Sequence, residues 1–321
     1  MAFKFTLSQA VASLLMGALL GSCPQVAIAQ RNPLKAVSGP TRQLLQKGRY
    51  AEAQVEIDQR LRQDSLNTDL LSLRAECLLN QRGDAHAAAA LADLNKALRL
   101  KPNTWLLLSE RGFANGVLRR YPEAIADYTA ALHQTPAEPT LLATRGYSQL
   151  VSNHLPEALS DFSRATSLAP SNPEYGIMLV IAQMVSGNFP EALKVCTTLI
   201  SKHKDFGLGY ANRALVRQRL NDPLGARQDA NEALRISATD STTRLISAFV
   251  YQQAGETEKA QRGYDEIQAQ AKDKSSLFFE RGDLYLQVGN ITAAEADWKQ
   301  AAQLGHLEGN SRLAAGFKPR P

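Results

Sequence analysis

The residue types that most often carry chemistry are thinly spread along this 321-residue chain. Its five histidines, His86, His133, His154, His203 and His306, stand singly, each in or near a different turn. No HExxH, CxxC, GxSxG or phosphate-binding loop occurs, so the spacings that build a zinc site, a redox pair, a nucleophile elbow or a nucleotide cradle are missing. Gly207-Leu208-Gly209 is a lone GxG, read as a flexible junction. Acid pairs such as Asp64 with Asp69, or Asp265 with Glu266, read as solvated helix faces or turns. No enzymatic activity, metal or cofactor is expected. What does recur is an arginine followed by an aspartate: Arg74 and Asp93, Arg111 and Asp127, Arg145 and Asp161, Arg213 and Asp229, Arg281 and Asp297. Four of these pairs are 16 residues apart and the first is 19. The chemistry on offer is ion pairing.

An ion pair needs two elements that bring its partners side by side. From Trp105 the chain restarts every 34 residues, at Trp105, Pro139, Pro173, Gly207, Ser241 and Ser275. A period of that length marks a helix–turn–helix unit that cannot bury its apolar face alone. Within the unit the arginine is position 7 and the aspartate position 23, equidistant from a turn at position 15. An antiparallel hairpin therefore predicts an Arg–Asp pair inside each of these five units. Its role is structural; an exposed pair contributes only about 0–1 kcal/mol.

Position by position, the unit resembles the tetratricopeptide repeat. Counting from Trp105, Gly112 is position 8, Tyr121 17, Ala124 20, Tyr128 24, Ala131 27 and Pro136 32. The next unit gives Gly146, Leu155, Ala158, Phe162, Ala165 and Pro170. Small residues at 8 and 20 let the two helices approach, the aromatic at 24 fills the gap between hairpins, and the proline ends the second helix. Later units are looser but keep register: Val180, Gly187, Phe189 and Ala192; Ala214, Ala226, Ala230 and Ala233; Ala248, Tyr251, Gly255, Ala260 and Tyr264; Gly282, Tyr285, Gly289, Ala294, Trp298 and Ala301. The resemblance implies an all-α fold, a right-handed superhelical solenoid of about eight repeats. The units run 34–67, 68–104, 105–138, 139–172, 173–206, 207–240, 241–274 and 275–308. Pro40 shortens the first unit's leading helix, and the second is about three residues too long, with the excess assigned to the turn at 81–86. Residues 309–321 read as a cap and tail.

The resemblance also implies a concave groove lined by the first helix of each unit, through positions 2, 5, 9, 12 and 13. Position 9 runs Arg42, Glu76, Phe113, Tyr147, Ile181, Leu215, Phe249... and Asp283, charged at the ends and apolar between, with Ile181 preceding Leu215 in the order of units. An apolar strip of Phe113, Val117, Tyr147, Val151, Ile177, Ile181, Met184, Leu215 and Phe249 is expected. Two readings stay open: a site for an apolar partner segment, or ordinary core hidden by neighbouring helices. Family members that clamp a C-terminal carboxylate use Lys and Asn in the groove; here those positions are mostly Phe, Tyr, Ile, Thr and Ala, which argues against a clamp.

The expected role is a protein-interaction scaffold that docks a protein or peptide, with self-association as a homodimer the alternative. RNA-binding hairpin repeats are a third class, but they prefer a 35-residue period and polar code positions. The formal charge of +5 is scattered, with no basic run, so no nucleic-acid partner is expected. At the N-terminus, Lys4 precedes an apolar stretch from Ala10 to Leu20, too short to span a membrane. Residues 1–29 read as an export signal, followed by a linker at 30–33. Ala27-Ile28-Ala29 offers a cleavage site, and Leu20-Gly21-Ser22-Cys23 resembles a bacterial lipobox that would acylate Cys23 and provide the only membrane anchor. Either exit places the repeats in the periplasm or cell envelope. Only Cys77 and Cys196 remain beyond the signal, in distant units, where no disulfide is expected.

Overall fold

The computed structural model describes residues 37–81, 83–270, 274–287 and 290–306, with Gly309 and Leu313. The leader at 1–29 with Cys23, the linker at 30–33, Gly289 and most of the tail at 309–321 lie outside the described residues. All the regular structure among the described residues is helical. The chain divides into two compact units between Ser152 and Asn153.

The first unit holds α1 (Gly39–Gln46), α2 (Tyr50–Gln63), α3 (Thr68–Asn80), α4 (Asp84–Leu100), α5 (Trp105–Val117), α6 (Tyr121–Gln134) and α7 (Pro139–Val151). The second holds α8 (Leu155–Leu168), α9 (Pro173–Ser186), α10 (Phe189–Lys202), α11 (Gly207–Arg219), α12 (Pro223–Ser237), α13 (Ser241–Gln253), α14 (Thr257–Gln270), α15 (Lys274–Gln287) and α16 (Ile291–Gln303). Within each unit every helix packs on the next. The odd-numbered helices also touch across successive repeats: α3 with α5 and α5 with α7 in the first unit, α9 with α11, α11 with α13 and α13 with α15 in the second. This is the stacking pattern of a helical-repeat solenoid.

Local sequence sets each break. The residue at position 15 of the repeat takes a positive φ in Gly48, Arg119, Asn153, Gly187, Asn221 and Gly255. A left-handed residue ends one helix and turns the chain into the next; glycine and asparagine tolerate it, and Arg119 adopts it at φ 59°. Leading helices are capped by Asn67, whose side chain accepts from Leu70 N, and by Asp240, which accepts from Thr243 N at 2.7 Å. Proline occupies the first turn of α6, α8 and α10, where its missing donor is not needed.

The small residues at position 8 act within the hairpin. A Cβ on Gly112 would lie 2.9 Å from Tyr128 Cε1, and one on Gly282 2.7 Å from Trp298 Cδ1. The aromatic at position 24 thus lies against the glycine of its own hairpin. Trp298 and Phe162 are completely buried, each stabilising the stack by roughly 1.5–3 kcal/mol or more.

Three local expectations give way. The surplus of the second repeat lies in a helix: α4 starts at Asp84 and has 17 residues where α6, α8 and α10 have 14. One added helical turn accounts for it. The Gly207–Gly209 step is tight rather than loose. Both glycines are buried in the first turn of α11, where a Cβ would meet Ser237 Oγ at 2.6 Å and Ile200 Cγ2 at 3.0 Å. Asp283, read as a charged end of the groove, is fully buried and accepts from Trp298 Nε1 at 3.0 Å.

Two glycines of α5 make a paired test. Gly116 has open space where its Cβ would be, so Gly116→Ala should stabilise the chain by about 0.5–1 kcal/mol. Gly112→Ala forces Tyr128 aside and should cost about 1–3 kcal/mol. Urea denaturation of the two variants beside the wild type checks the opposite signs.

Candidate interaction surface

Arg74, Arg111, Arg213 and Arg281 each stand in the middle of a leading helix and face the second helix of their hairpin. Arg74 donates to Asp93 through Nε and Nη2, both at 2.7 Å. Arg111 does so to Asp127 at 3.0 Å through Nε and 2.5 Å through Nη2. Arg213 reaches Asp229 at 2.8 and 2.6 Å, and Arg281 reaches Asp297 at 2.6 and 2.7 Å. These are bidentate, charge-assisted contacts. The aspartate side chains are 4–9% exposed in these four pairs, the arginines 15–29%. Burial alone would lower the pKa of Arg213 and Arg281; the hydrogen bonds and charge of Asp229 and Asp297 outweigh it and raise it. For Arg74 the hydrogen bond it donates to Asp93 is the largest influence and also raises it. The members of the remaining pair, Arg145 and Asp161, fall in different units; Asp161 is buried, and Arg145 donates to Thr129 Oγ1 at 3.2 Å.

The sequence pattern did not reveal that these arginines also reach backward. In the first unit, the Nη1 of Arg74 meets Asp58 at 2.9 Å, that of Arg111 meets Asn95 at 3.2 Å, and that of Arg145 meets Thr129. All three acceptors sit at position 25 of the preceding hairpin. In the second unit, Arg281 lies over the ring of Tyr264, 4.9 Å from its centroid, again on the preceding hairpin. In Arg74, Arg111 and Arg281 one side chain thus ties two helices of its own repeat and one of its neighbour. Asp229 gains a second arginine, Arg217, at 2.9 Å. Arg281→Met strips Asp297 of both bonds just described, while Arg213→Met leaves Asp229 with Arg217. Arg281→Met should therefore cost about 2–3 kcal/mol and Arg213→Met less than half of that, read from denaturation midpoints.

The expected apolar strip falls in both units. In the first, Tyr147 and Val151 are buried, and Phe113 and Val117 on α5 are partly exposed. Tyr147 meets Tyr121 edge-on at 6.5 Å. In the second, Ile177, Ile181, Met184, Leu215 and Phe249 are all buried, between 0 and 7% exposed. Phe249 packs edge-on against Tyr285 at 5.1 Å. Helix α9 is covered nearly all round, with Ile177, Met178, Leu179, Val180, Ile181, Met184 and Val185 each at 9% or less. Open apolar surface along the strip is thus confined to Phe113 and Val117. Polar side chains share this side of the leading helices: Ser72 on α3 donates to Glu110 on α5 at 2.7 Å, both buried.

The remaining reactive types are placed as follows. Cys77 and Cys196 are free and buried. Desolvation pushes both thiols up to about 12, far from the thiolate needed for nucleophilic or metal chemistry. Among the described residues no three His, Cys, Asp or Glu side chains gather as a metal site. His306 stacks on Phe279 at 4.2 Å. None of the described helices is long and apolar enough to cross a membrane. At pH 8 an alkylating reagent should leave Cys77 and Cys196 unlabelled in the folded chain and label both in urea, as read by peptide mass spectrometry.

Stacked hairpins with braced pairs define an α-helical repeat protein. Residues 116–173 match the family model for the tetratricopeptide repeat. No curated protein matches the chain by sequence. Among solved structures, a tetratricopeptide repeat protein from Parabacteroides merdae is similar over 76% of this chain and 96% of its own, at 18% identity and a TM-score of 0.62. Yeast Tom70 is similar over 83% of this chain and 57% of its own, at 15% identity and a TM-score of 0.60. The C-terminal part of a TPR repeat-containing protein from Cytophaga hutchinsonii is similar over 87% of this chain and 98% of its own, at 13% identity and a TM-score of 0.54. Residues 116–173 thus carry the tetratricopeptide repeat, and these solved structures share the fold. Proteins of this fold are generally scaffolds for protein interaction.

Proposed function

We propose that the chain is an interaction scaffold that docks a segment of a partner protein on the leading helices of its repeats, and that it works in the bacterial cell envelope. The observation that carries the docking reading is the partly exposed apolar pair Phe113 and Val117 on α5, one helical turn apart on one face. An amphipathic helix or extended segment covers such a face through alternate apolar anchors. The buried stretch Ile177–Val185 then serves as the rigid support of the array, and the partner contact is centred on α5. The envelope assignment rests on the leader-like residues 1–29, with release after Ala29 or acylation of Cys23 as its two routes.

A photo-crosslinking amino acid at position 117, introduced in cells, should capture a distinct protein from the envelope fraction. Val117→Glu should abolish that adduct when the crosslinker is moved to position 113, with the thermal midpoint unchanged. Capture only of a second copy of the chain would replace the scaffold reading by homodimerisation. An adduct unaltered by Val117→Glu would end the proposal for this face.

A further inference from the structure

One hairpin of the second unit departs from the others in a way that leaves a cleft. Where five of the repeats carry arginine at position 7 and aspartate at position 23, α9 has Leu179 and α10 has Val195. Position 4 is Gly176, where the two preceding repeats have Leu108 and Leu142 and the following one has Tyr210. A Cβ there would stand 2.8 Å from Leu199 Cδ1, so the glycine lets Leu199 lie down on α9. With the brace gone and the side chain at position 4 absent, α8, α9 and α10 enclose an open cleft of about 230 Å³. Its floor is Leu179, Val195 and Leu199. Its rim carries two lysines, Lys194 and Lys202, and His203, against a single acid, Glu191. Glu191 is 3.4 Å from Lys194, so the one acid is already shared. Lys202 is exposed, and the His203 Nε2 is held 2.9 Å from the Pro170 carbonyl, fixing the ring at the edge.

We infer that this cleft is a binding site for one large apolar side chain of a partner protein, flanked by acidic residues. Its volume falls below the roughly 300–1,000 Å³ of a drug-sized ligand pocket, and it suits a single anchor of the kind that dominates protein interfaces. The apolar floor takes the side chain; the lysines meet the carboxylates beside it and steer the segment in. The inference goes beyond the docking face on α5: it rests on the same scaffold reading but uses different residues.

The test uses the full chain and a labelled peptide in which one Phe is flanked by two Asp on each side, both ends blocked. Fluorescence anisotropy should show binding that weakens with added salt. Thr198→Trp, which fills the mouth from an exposed position, and Lys202→Glu, which reverses the rim charge at another, should each weaken it by roughly tenfold or more. Peptides with Ala for Phe, or Lys for Asp, should not bind. Absence of binding by the Asp–Phe peptide, or binding indifferent to Thr198→Trp, would overturn the inference. So would phenylacetate competing as well as the peptide, since a small carboxylate would then be the ligand. Val117→Glu should leave peptide binding intact, which separates this site from the face on α5; loss of binding in that variant would place the peptide elsewhere and sink the inference.

Discussion

A hairpin of two short helices has more apolar surface than it can cover by itself, and the rest of this molecule follows from that shortage. Folding the two helices together buries one seam, along Gly112 and Tyr128 in one repeat or Gly282 and Trp298 in another. The outer apolar residues then need the next hairpin, which brings its own uncovered face. Stability is shared between the interior of each repeat and its junctions, and it grows by addition. Helix α9 shows the limit: buried on nearly every side, it has no polar stripe left to give to water.

Close packing of this kind slides easily unless something fixes its register, and the arginines do so. An apolar seam of Ala and Leu is tolerant of small shifts. A planar guanidinium that must satisfy a buried carboxylate is not, because displacement leaves a buried charge unpaired. By touching position 25 of the preceding hairpin as well, Arg74 and Arg111 fix the junction together with the hairpin. The repeats without the pair use other devices. In the hairpin of α13 and α14, Ser247 and Gly263 take the two positions, and a Cβ on Gly263 would press 2.8 Å from Ala248 Cβ.

The repeat itself was legible because its constraints act on residue type at fixed intervals. Nothing larger than glycine fits beneath Tyr128 or Trp298, and a left-handed turn residue favours glycine or asparagine, so these features print directly into the sequence. The backward contact was not legible. Asp58, Asn95 and Thr129 share only an oxygen that can accept, and no single residue type marks the position. The depth of the strip at Ile177 to Phe249 was also hidden. Periodicity says which side of a helix a residue lies on, but the covering of that side depends on how closely neighbouring helices approach. The cleft beside α9 was the hardest to foresee, since it is produced by residues that are missing: no arginine, no aspartate and no side chain at Gly176.

The backward reach of the arginines has a bearing on how such an array changes length. A repeat that makes all its demands on its own helices and on one loosely specified acceptor can follow any repeat that offers an oxygen at the same place. Loss of residues 105–138 would bring Arg145 to Asn95 in place of Thr129, exchanging a hydroxyl for an amide oxygen and leaving no guanidinium without an acceptor. Whole-repeat recombination is therefore cheap in this chain where the arginine takes its acceptor from position 25, and the variety of residues at that position is the kind of sequence drift that such interchangeability permits.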